Sequence, residues 1–149
     1  MTTFSLCMIV KNEENVLARC LDSLADLMDE IIIVDTGSTD KTKEIAARYT
    51  DRIYDFTWID DFAAARNFAA SKATMEYIYT ADADEFVDPE NHRQIRQLKE
   101  VLLPEVEIVQ MYYCNDLGDY NTTGNFEREL RPKLYRRQRS FTWIDPIHE

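Results

Sequence analysis

The chain alternates between short apolar runs and segments in which apolar residues recur every three or four positions. Phe4–Val10 is a continuous apolar run, which is typical of a strand covered on both faces of a parallel sheet. Residues 16–27 carry an apolar stripe at helical spacing, and Asn12 is a candidate N-cap for that helix. Residues 31–35 give the strongest strand prediction in the sequence.

The same alternation continues through the rest of the chain. The further predicted elements are a helix over about 41–49, a short strand over 52–56, a helix over 62–70 capped by Asp60 and Asp61, a strand from 77, a helix over about 88–103 and a strand over 107–113. Residues 115–129 predict a mobile loop, and residues 131–137 form a basic patch. Strands that alternate with helices predict an α/β domain with a mainly parallel sheet.

Chain length, net charge and cysteine content limit the kinds of partner and compartment that this protein can have. The chain has 149 residues, enough for one domain, and a net charge of −11, which argues against nucleic acid or an anionic membrane as a partner. Three widely spaced cysteines without a C-x-x-C motif predict free thiols in a reducing compartment. No transmembrane run or signal peptide is apparent, so we expect a cytoplasmic protein, with any attachment to the inner membrane made through regions outside this chain.

The candidate chemistry begins where the strand at residue 77 runs into Asp82-Ala83-Asp84-Glu85. Strand alternation would point Asp82 and Asp84 to the same side, and two carboxylates held so close require a cation between them. Hard oxygen ligands of this kind suit Mg²⁺ or Mn²⁺ shared with a phosphate-bearing ligand. An isolated Asp-x-Asp is also common in solvated acidic turns.

The fold prediction brings further polar residues to the same place. In parallel sheets, ligands bind at the carboxyl ends of the strands. The polar segments that follow the first, second and fourth predicted strands are 11–13, 35–37 and 82–84. We therefore expect these three segments to meet at one edge of the sheet, which favours a binding site over a solvated turn.

The order of these motifs resembles the family-2 nucleotide-sugar glycosyltransferases of GT-A fold. The resemblance rests on Met8-Ile9-Val10-Lys11-Asn12-Glu13-Glu14, on residues 34–42, on Asp61-Phe62-Ala63-Ala64-Ala65-Arg66-Asn67 and on Asp82-Ala83-Asp84-Glu85. The closing residues 143–149 resemble the Ile-His-Glu ending of one bacterial branch. The resemblance implies a three-layer α/β/α fold and one domain over residues 1–149, either truncated or minimal.

The resemblance also implies roles for single residues. Asp35 would accept an N–H from the nucleotide base, and Arg66 would support either the diphosphate or the row of carboxylates. Asp84 and His148 would contact the metal ion. The remaining nucleotide-binding candidates are Ile9, Val10, Asn12, Glu13, Gly37, Asp82 and Ala83.

The implied reaction is an inverting sugar transfer from a nucleotide-diphosphate donor, expected to be a UDP-sugar, to a hydroxyl of a sugar, lipid-linked or protein acceptor. Mn²⁺ or Mg²⁺ would stabilise the departing diphosphate, and a carboxylate would act as general base. Glu85 and Glu149 are both candidates for that base. The alternative is a nucleotide-sugar binding module, or a donor-binding half, that does not turn the donor over on its own.

Overall fold

A single sheet with helices on both faces organises the chain in the computed structural model, which describes residues 2–59, 61–102, 105–115 and 127–137. The strands and helices are, in chain order, β1 (Phe4–Val10), α1 (Leu17–Leu24), β2 (Glu30–Asp35), α2 (Thr42–Ala46), β3 (Ile53–Asp55), α3 (Phe62–Ser71), β4 (Tyr77–Thr80), α4 (Pro89–Val101), β5 (Ile108–Asn115) and β6 (Glu127–Arg136). A short 3-10 turn, Ala25–Leu27, follows α1.

The strand order in the sheet is β3-β2-β1-β4-β6-β5. β3, β2, β1 and β4 run parallel to one another, whereas β6 runs antiparallel between β4 and β5. The predicted α/β architecture with a mainly parallel sheet is therefore confirmed. The carboxyl ends of β2, β1 and β4 lie side by side, as their sequences predicted.

The alternation of side chains along β1 explains the three layers. Phe4, Leu6, Met8 and Val10 are buried on one face of the sheet, in a cluster that includes residues of α1, α2 and α4. Cys7 faces the opposite cluster, where α3 packs through Ala69. Because both faces are covered, β1 is apolar almost throughout, and the structure forms an α/β/α sandwich.

Two predictions are wrong, one about the cap of α1 and one about the end of the predicted loop. Asn12 does not cap α1: the helix begins at Leu17 after Val16, which makes no side-chain capping hydrogen bond. Residues 127–129, predicted as the end of a loop, instead begin β6, which also contains most of the predicted basic patch and in which Leu134 and Tyr135 are buried.

The other elements match their predictions closely, with α2 shorter than expected. Asp61 caps α3 by accepting from the N–H of Ala64 at 3.1 Å, and Asp88 caps α4 through the N–H of Asn91 at 2.8 Å. Most of the predicted loop, residues 116–126, lies outside the described residues. Within the described ranges, none of the helices has the length and apolar character that crossing a bilayer requires.

Candidate functional site

A pocket of about 580 Å³ opens at the edge of the sheet where β1 and β4 end. Its volume falls within the range of roughly 300–1,000 Å³ that small-molecule sites occupy. Thr36, which follows β2, also lines the pocket. The pocket therefore occupies the edge where the sequence predicts a binding site. The predicted site residues that line it are Ile9, Val10, Glu13, Arg66, Asp82, Ala83, Asp84 and Glu85.

The acidic segment after β4 is a tight turn. The strand ends at Thr80, and the backbone N–H of Glu85 donates to the carbonyl oxygen of Asp82 at 3.0 Å. The Glu85 carboxylate in turn accepts from the N–H of Asp82 at 2.9 Å. The expectation that strand alternation aligns Asp82 and Asp84 is therefore wrong. Both residues line the pocket because the chain turns there.

Negative charge is concentrated at this turn. Burial raises the pKa of Glu13 above its ordinary value, and the negative charges of Asp84, Asp82 and Asp40 raise it further. Within the described ranges, no three His, Cys, Asp or Glu residues are grouped so that they could hold a metal ion by themselves. The carboxylates present are hard oxygen donors that suit a divalent cation, provided that a bound ligand completes its coordination.

Asp35, at the end of β2, has two carboxylate oxygens in different environments. Oδ1 accepts from the backbone N–H groups of Gly37 and Ser38, each at 2.8 Å. Oδ2 is buried and has no hydrogen-bond partner among the described residues. A buried carboxylate oxygen without a donor carries a desolvation cost that a ligand N–H would relieve.

The loops after β1 and β2 are joined by hydrogen bonds. The N–H of Asn12 donates to Ser38 Oγ at 2.9 Å, and Asn12 Oδ1 accepts from the N–H of Thr39 at 2.8 Å. Asn12 adopts a φ of 53°, which asparagine tolerates better than most residues. Gly37 has a φ of 119°, where any side chain would be strained. These contacts fix the loop that begins directly after Asp35.

Helix α3 forms another wall of the pocket with Trp58, which precedes it. The rings of Trp58 and Phe62 meet edge to face with centroids 4.6 Å apart. The guanidinium of Arg66 lies 5.9 Å from the centre of the Phe62 ring. Arg66 thus brings a positive charge to the pocket that also contains Asp82 and Asp84.

The structure brings most of the predicted site together and adds residues that sequence reasoning missed. Asn12, Asp35 and Gly37 are not among the residues that line the pocket: Asp35 ends β2 beside Thr36, and Asn12 and Gly37 lie in the loops after β1 and β2. His148 and Glu149 lie outside the described residues. The missed residues that line the pocket include Trp58, Phe62 and Lys133. Lys133 lies within the predicted basic patch at 131–137, but its position in a strand beside β4 had no signal in the sequence.

Comparison with known proteins identifies the family. The model for glycosyl transferase family 2 matches residues 5–148. The chain belongs to that family. As a family-2 glycosyltransferase domain, it carries the pocket described above within the matched residues.

Curated relatives extend well beyond the length of this chain. A TPR repeat-containing protein of Synechococcus elongatus is 45% identical over 149 residues, covering 100% of this chain and 35% of the relative. The SPbeta prophage-derived glycosyltransferase SunS of Bacillus subtilis is 38% identical, covering 99% of this chain and 34% of the relative. The chain thus spans about a third of the length of these relatives.

Solved structures support the fold. Glucosyl-3-phosphoglycerate synthase from Mycobacterium tuberculosis is similar with a TM-score of 0.60 and 23% identity, over 76% of this chain and 46% of that one. At this level of identity, the likeness concerns the fold. The family-2 chain therefore has the GT-A architecture that the sequence motifs implied.

Proposed function

We propose that this chain forms the donor site of an inverting glycosyltransferase, which moves a sugar from a nucleotide-diphosphate donor, expected to be a UDP-sugar, to a hydroxyl acceptor. One observation carries the proposal: the same pocket is lined by the residues at the end of β1 and by the acidic turn after β4. The first part suits a nucleoside, and the second suits a cation that accompanies a diphosphate.

Asp35 is the proposed partner of the nucleotide base. Its buried Oδ2, which has no donor among the described residues, would accept an N–H from uracil or its equivalent. The main chain at Ile9, Val10 and Asn12 would frame the base, together with Gly37. Glu13, which lines the pocket, would be a further contact of the same base.

Asp84 is the proposed metal ligand, with Asp82 and Ala83 beside the ribose and the ion. The carboxylates of Asp82 and Asp84, which line the same end of the pocket, are hard oxygen donors that fit a divalent cation. His148 is a further proposed ligand. When bound, Mn²⁺ or Mg²⁺ supplies Lewis-acid stabilisation of the diphosphate. The mycobacterial synthase is known in complex with UDP and either Mg²⁺ or Mn²⁺, which supports this choice of ligands.

Arg66 is the proposed support for the diphosphate. A donor diphosphate is anionic, and a chain with a net charge of −11 must bring positive charge to it locally. Arg66 lines the pocket from α3 and offers a planar set of donors that matches phosphate oxygens.

In the proposed reaction, an acceptor hydroxyl attacks the anomeric carbon of the donor sugar. The bond to the diphosphate breaks on the opposite face, so the configuration inverts. A carboxylate takes the hydroxyl proton. Both Glu85 oxygens accept hydrogen bonds from Lys133, at 2.8 and 2.6 Å, which leaves Glu85 poorly placed for that proton. This occupancy favours Glu149 over Glu85 as the proposed base.

The second candidate function is a donor-binding half that needs further chain for turnover. The length of the relatives favours it, since this chain spans about a third of them. In that case residues 1–149 form the GT-A donor domain, and a sugar, lipid-linked or protein acceptor binds mainly elsewhere. Hydrolysis of a UDP-sugar, or its transfer by this chain alone, distinguishes the two functions.

Calorimetric titration of UDP with and without Mn²⁺ tests the proposed function. We expect UDP binding to depend on the metal ion. Loss of a residue that only orients a metal ligand lowers affinity by roughly 10- to 100-fold, so Asp84→Asn, which changes a proposed ligand itself, should lower UDP affinity by at least about 100-fold. Asp51→Asn, at an exposed position away from the pocket, is the matched control and should bind like the wild type. A folded wild-type chain that binds no nucleoside diphosphate would refute the donor site.

A further inference from the structure

Lys133 and Glu85 form a largely buried ion pair beside the acidic turn. Lys133 Nζ lies 2.8 Å from Oε1 and 2.6 Å from Oε2 of Glu85. Their side chains are 11% and 13% exposed. Both residues line the pocket, and 48 positions separate them in the sequence. Their contact therefore joins β6 to the turn that follows β4.

Glu85 also holds the backbone of the turn through a hydrogen bond. The carboxylate oxygen Oε1 that Lys133 contacts also accepts the N–H of Asp82 at 2.9 Å. On the other side of the turn, Arg19 Nη2 donates to the carbonyl oxygen of Asp84 at 2.9 Å. The backbone of the acidic pair is thus held from β6 through an ion pair and from α1 through a hydrogen bond.

An irregularity in β6 brings Lys133 to this position. Val109 of β5 pairs with Leu134, but the next residue, Gln110, pairs with Pro132. Lys133 is the extra residue of a β-bulge, a feature that re-aims side chains and occurs often next to active sites. On the β4 side, Thr80 Oγ1 donates to the carbonyl oxygen of Lys133 at 3.4 Å, two residues before Asp82.

The ion pair also adjusts the charge of the pocket. Without Lys133, Glu85 would add a further negative charge beside Asp82 and Asp84. With Lys133, that charge is compensated inside the protein, so the two aspartates are left to face a ligand. A buried pair of this kind is costly to break on one side, because the remaining charge stays buried without compensation.

We propose that Lys133 and Glu85 act as a clamp that positions the Asp82–Glu85 turn for the nucleotide-diphosphate donor and its metal ion. The inference rests on the proposed donor site and adds two positioning residues to it. It gives Glu85 a role different from that of general base. Glu85 positions the turn directly, and Lys133 positions it by holding Glu85.

The test compares Lys133→Met, Glu85→Gln and the double variant by calorimetric titration of UDP in the presence of Mn²⁺. Each single variant should bind UDP roughly 10- to 100-fold more weakly, as is usual for residues that orient metal ligands. The double variant should bind more tightly than Lys133→Met alone, because it leaves no uncompensated charge. Such non-additivity identifies residues that act as one unit.

A matched control separates positioning from general stability. Lys99 on α4 is a buried lysine in another ion pair, 2.6 Å from Asp29, at the opposite end of β1 from the pocket. Lys99→Met should lower the thermal midpoint of unfolding and leave UDP affinity unchanged. The proposal would be overturned if the fall in UDP binding of a clamp variant were fully explained by a smaller fraction of folded protein.

The remaining outcomes are also decisive. In one of them, the wild type binds UDP and the clamp variants bind it with an affinity within about twofold of the wild-type value, which is the usual variation for independent sites. That result would refute the clamp without contradicting the donor site. Absence of binding by the folded wild type would refute both. If Lys133→Met does not fold, Glu85→Gln and the double variant decide, since unchanged UDP affinity in either contradicts the clamp.

Discussion

Asp35 shows how one side chain can serve both the fold and a ligand. Its Oδ1 closes the turn after β2 by accepting two backbone N–H groups, from Gly37 and Ser38. Its Oδ2 is buried without a partner among the described residues. A structural role alone would require only Oδ1, so the second oxygen marks this position as a candidate recognition site for an N–H group.

The variant Asp35→Asn separates these two roles. The amide side chain would keep the Oδ1 acceptor for the turn but replace Oδ2 with an NH₂ group, which would face the donor N–H of the base. We expect UDP affinity to fall by about 1–3 kcal/mol, the cost of a buried polar group left unpaired, with little change in thermal stability. Titration calorimetry and thermal unfolding measure the two effects.

Asp35→Ala is the companion variant for that experiment. It removes both oxygens, so it should lower the thermal midpoint as well as UDP affinity. Equal affinity of Asp35→Asn and the wild type would show that Oδ2 does not contact the base.

At the level of elements, α3 connects helix capping to the pocket. Asp61 caps its first turn, and that turn carries Phe62 into the pocket wall. α4 has an equivalent cap at Asp88 but contributes no residue to the pocket lining among the described residues. The two helices therefore allow a comparison: loss of either cap should affect stability, but only the cap of α3 lies next to the pocket.

We expect Asp61→Ala and Asp88→Ala each to lower the free energy of unfolding by about 1 kcal/mol, the typical value for loss of an N-cap. Only Asp61→Ala should also weaken UDP binding, because it loosens the turn next to Arg66. Denaturant unfolding and UDP titration provide the measurements. Equal effects of both variants on UDP affinity would argue against a role for α3 in the site.

The elements also show how far the sequence could predict the structure. β1 and β2 were predictable because both are buried on two faces and are largely apolar. β6 was not, since charged residues alternate with apolar ones and Pro132 argues against a central strand. Pro132 pairs with Gln110 directly beside the bulge at Lys133, where the register between β5 and β6 shifts.

The same reasoning applies to the site. Asp35, Asp82 and Asp84 each follow or end a recognisable strand, so their approach to one edge follows from parallel topology. The ion pair between Lys133 and Glu85 depends on a long-range antiparallel pairing, and no local pattern encodes it. Asn12 was misjudged because its side chain bonds to the loop after β2, a contact that its neighbours in sequence do not reveal.

Across the whole molecule, the two ends of the parallel strands differ in charge balance. At the pocket end, acidic side chains accumulate around Glu13. At the other end, Glu30 is matched by Arg52 and accepts hydrogen bonds from Ser5 and Thr74. Glu30 thus ties the beginning of β2 to neighbouring segments of the sheet.

Glu30 should make the stability of the domain sensitive to acid. Burial alone would raise the pKa of Glu30, but the hydrogen bonds from Thr74 and Ser5 and the charge of Arg52 outweigh it and lower the pKa below its ordinary value of 4.5. A carboxyl with a depressed pKa in the folded state stabilises the protein above its unfolded pKa, and this contribution is lost as pH falls through the folded pKa.

We therefore expect Glu30→Gln to unfold at a lower temperature than the wild type at neutral pH. The difference should begin to shrink below about pH 4.5, where the unfolded chain takes up the proton, and should be lost as the pH falls through the lower pKa of the folded state, where the folded wild type loses the same charge. Glu44→Gln, at an exposed position on α2, is the control. A difference between Glu30→Gln and the wild type that stays constant down to about pH 2 would contradict this assignment.

The hydrogen bonds between the loops after β1 and β2 have a consequence for selectivity. Asn12 and Ser38 hold these loops together before any ligand arrives. A ligand that enters loses little free energy to the ordering of loops, and the loops have little freedom to adapt to a different base. At the proposed donor site, discrimination between bases should thus come from the fit of a rigid surface, so that a larger base would be excluded by steric clash rather than accommodated by loop movement.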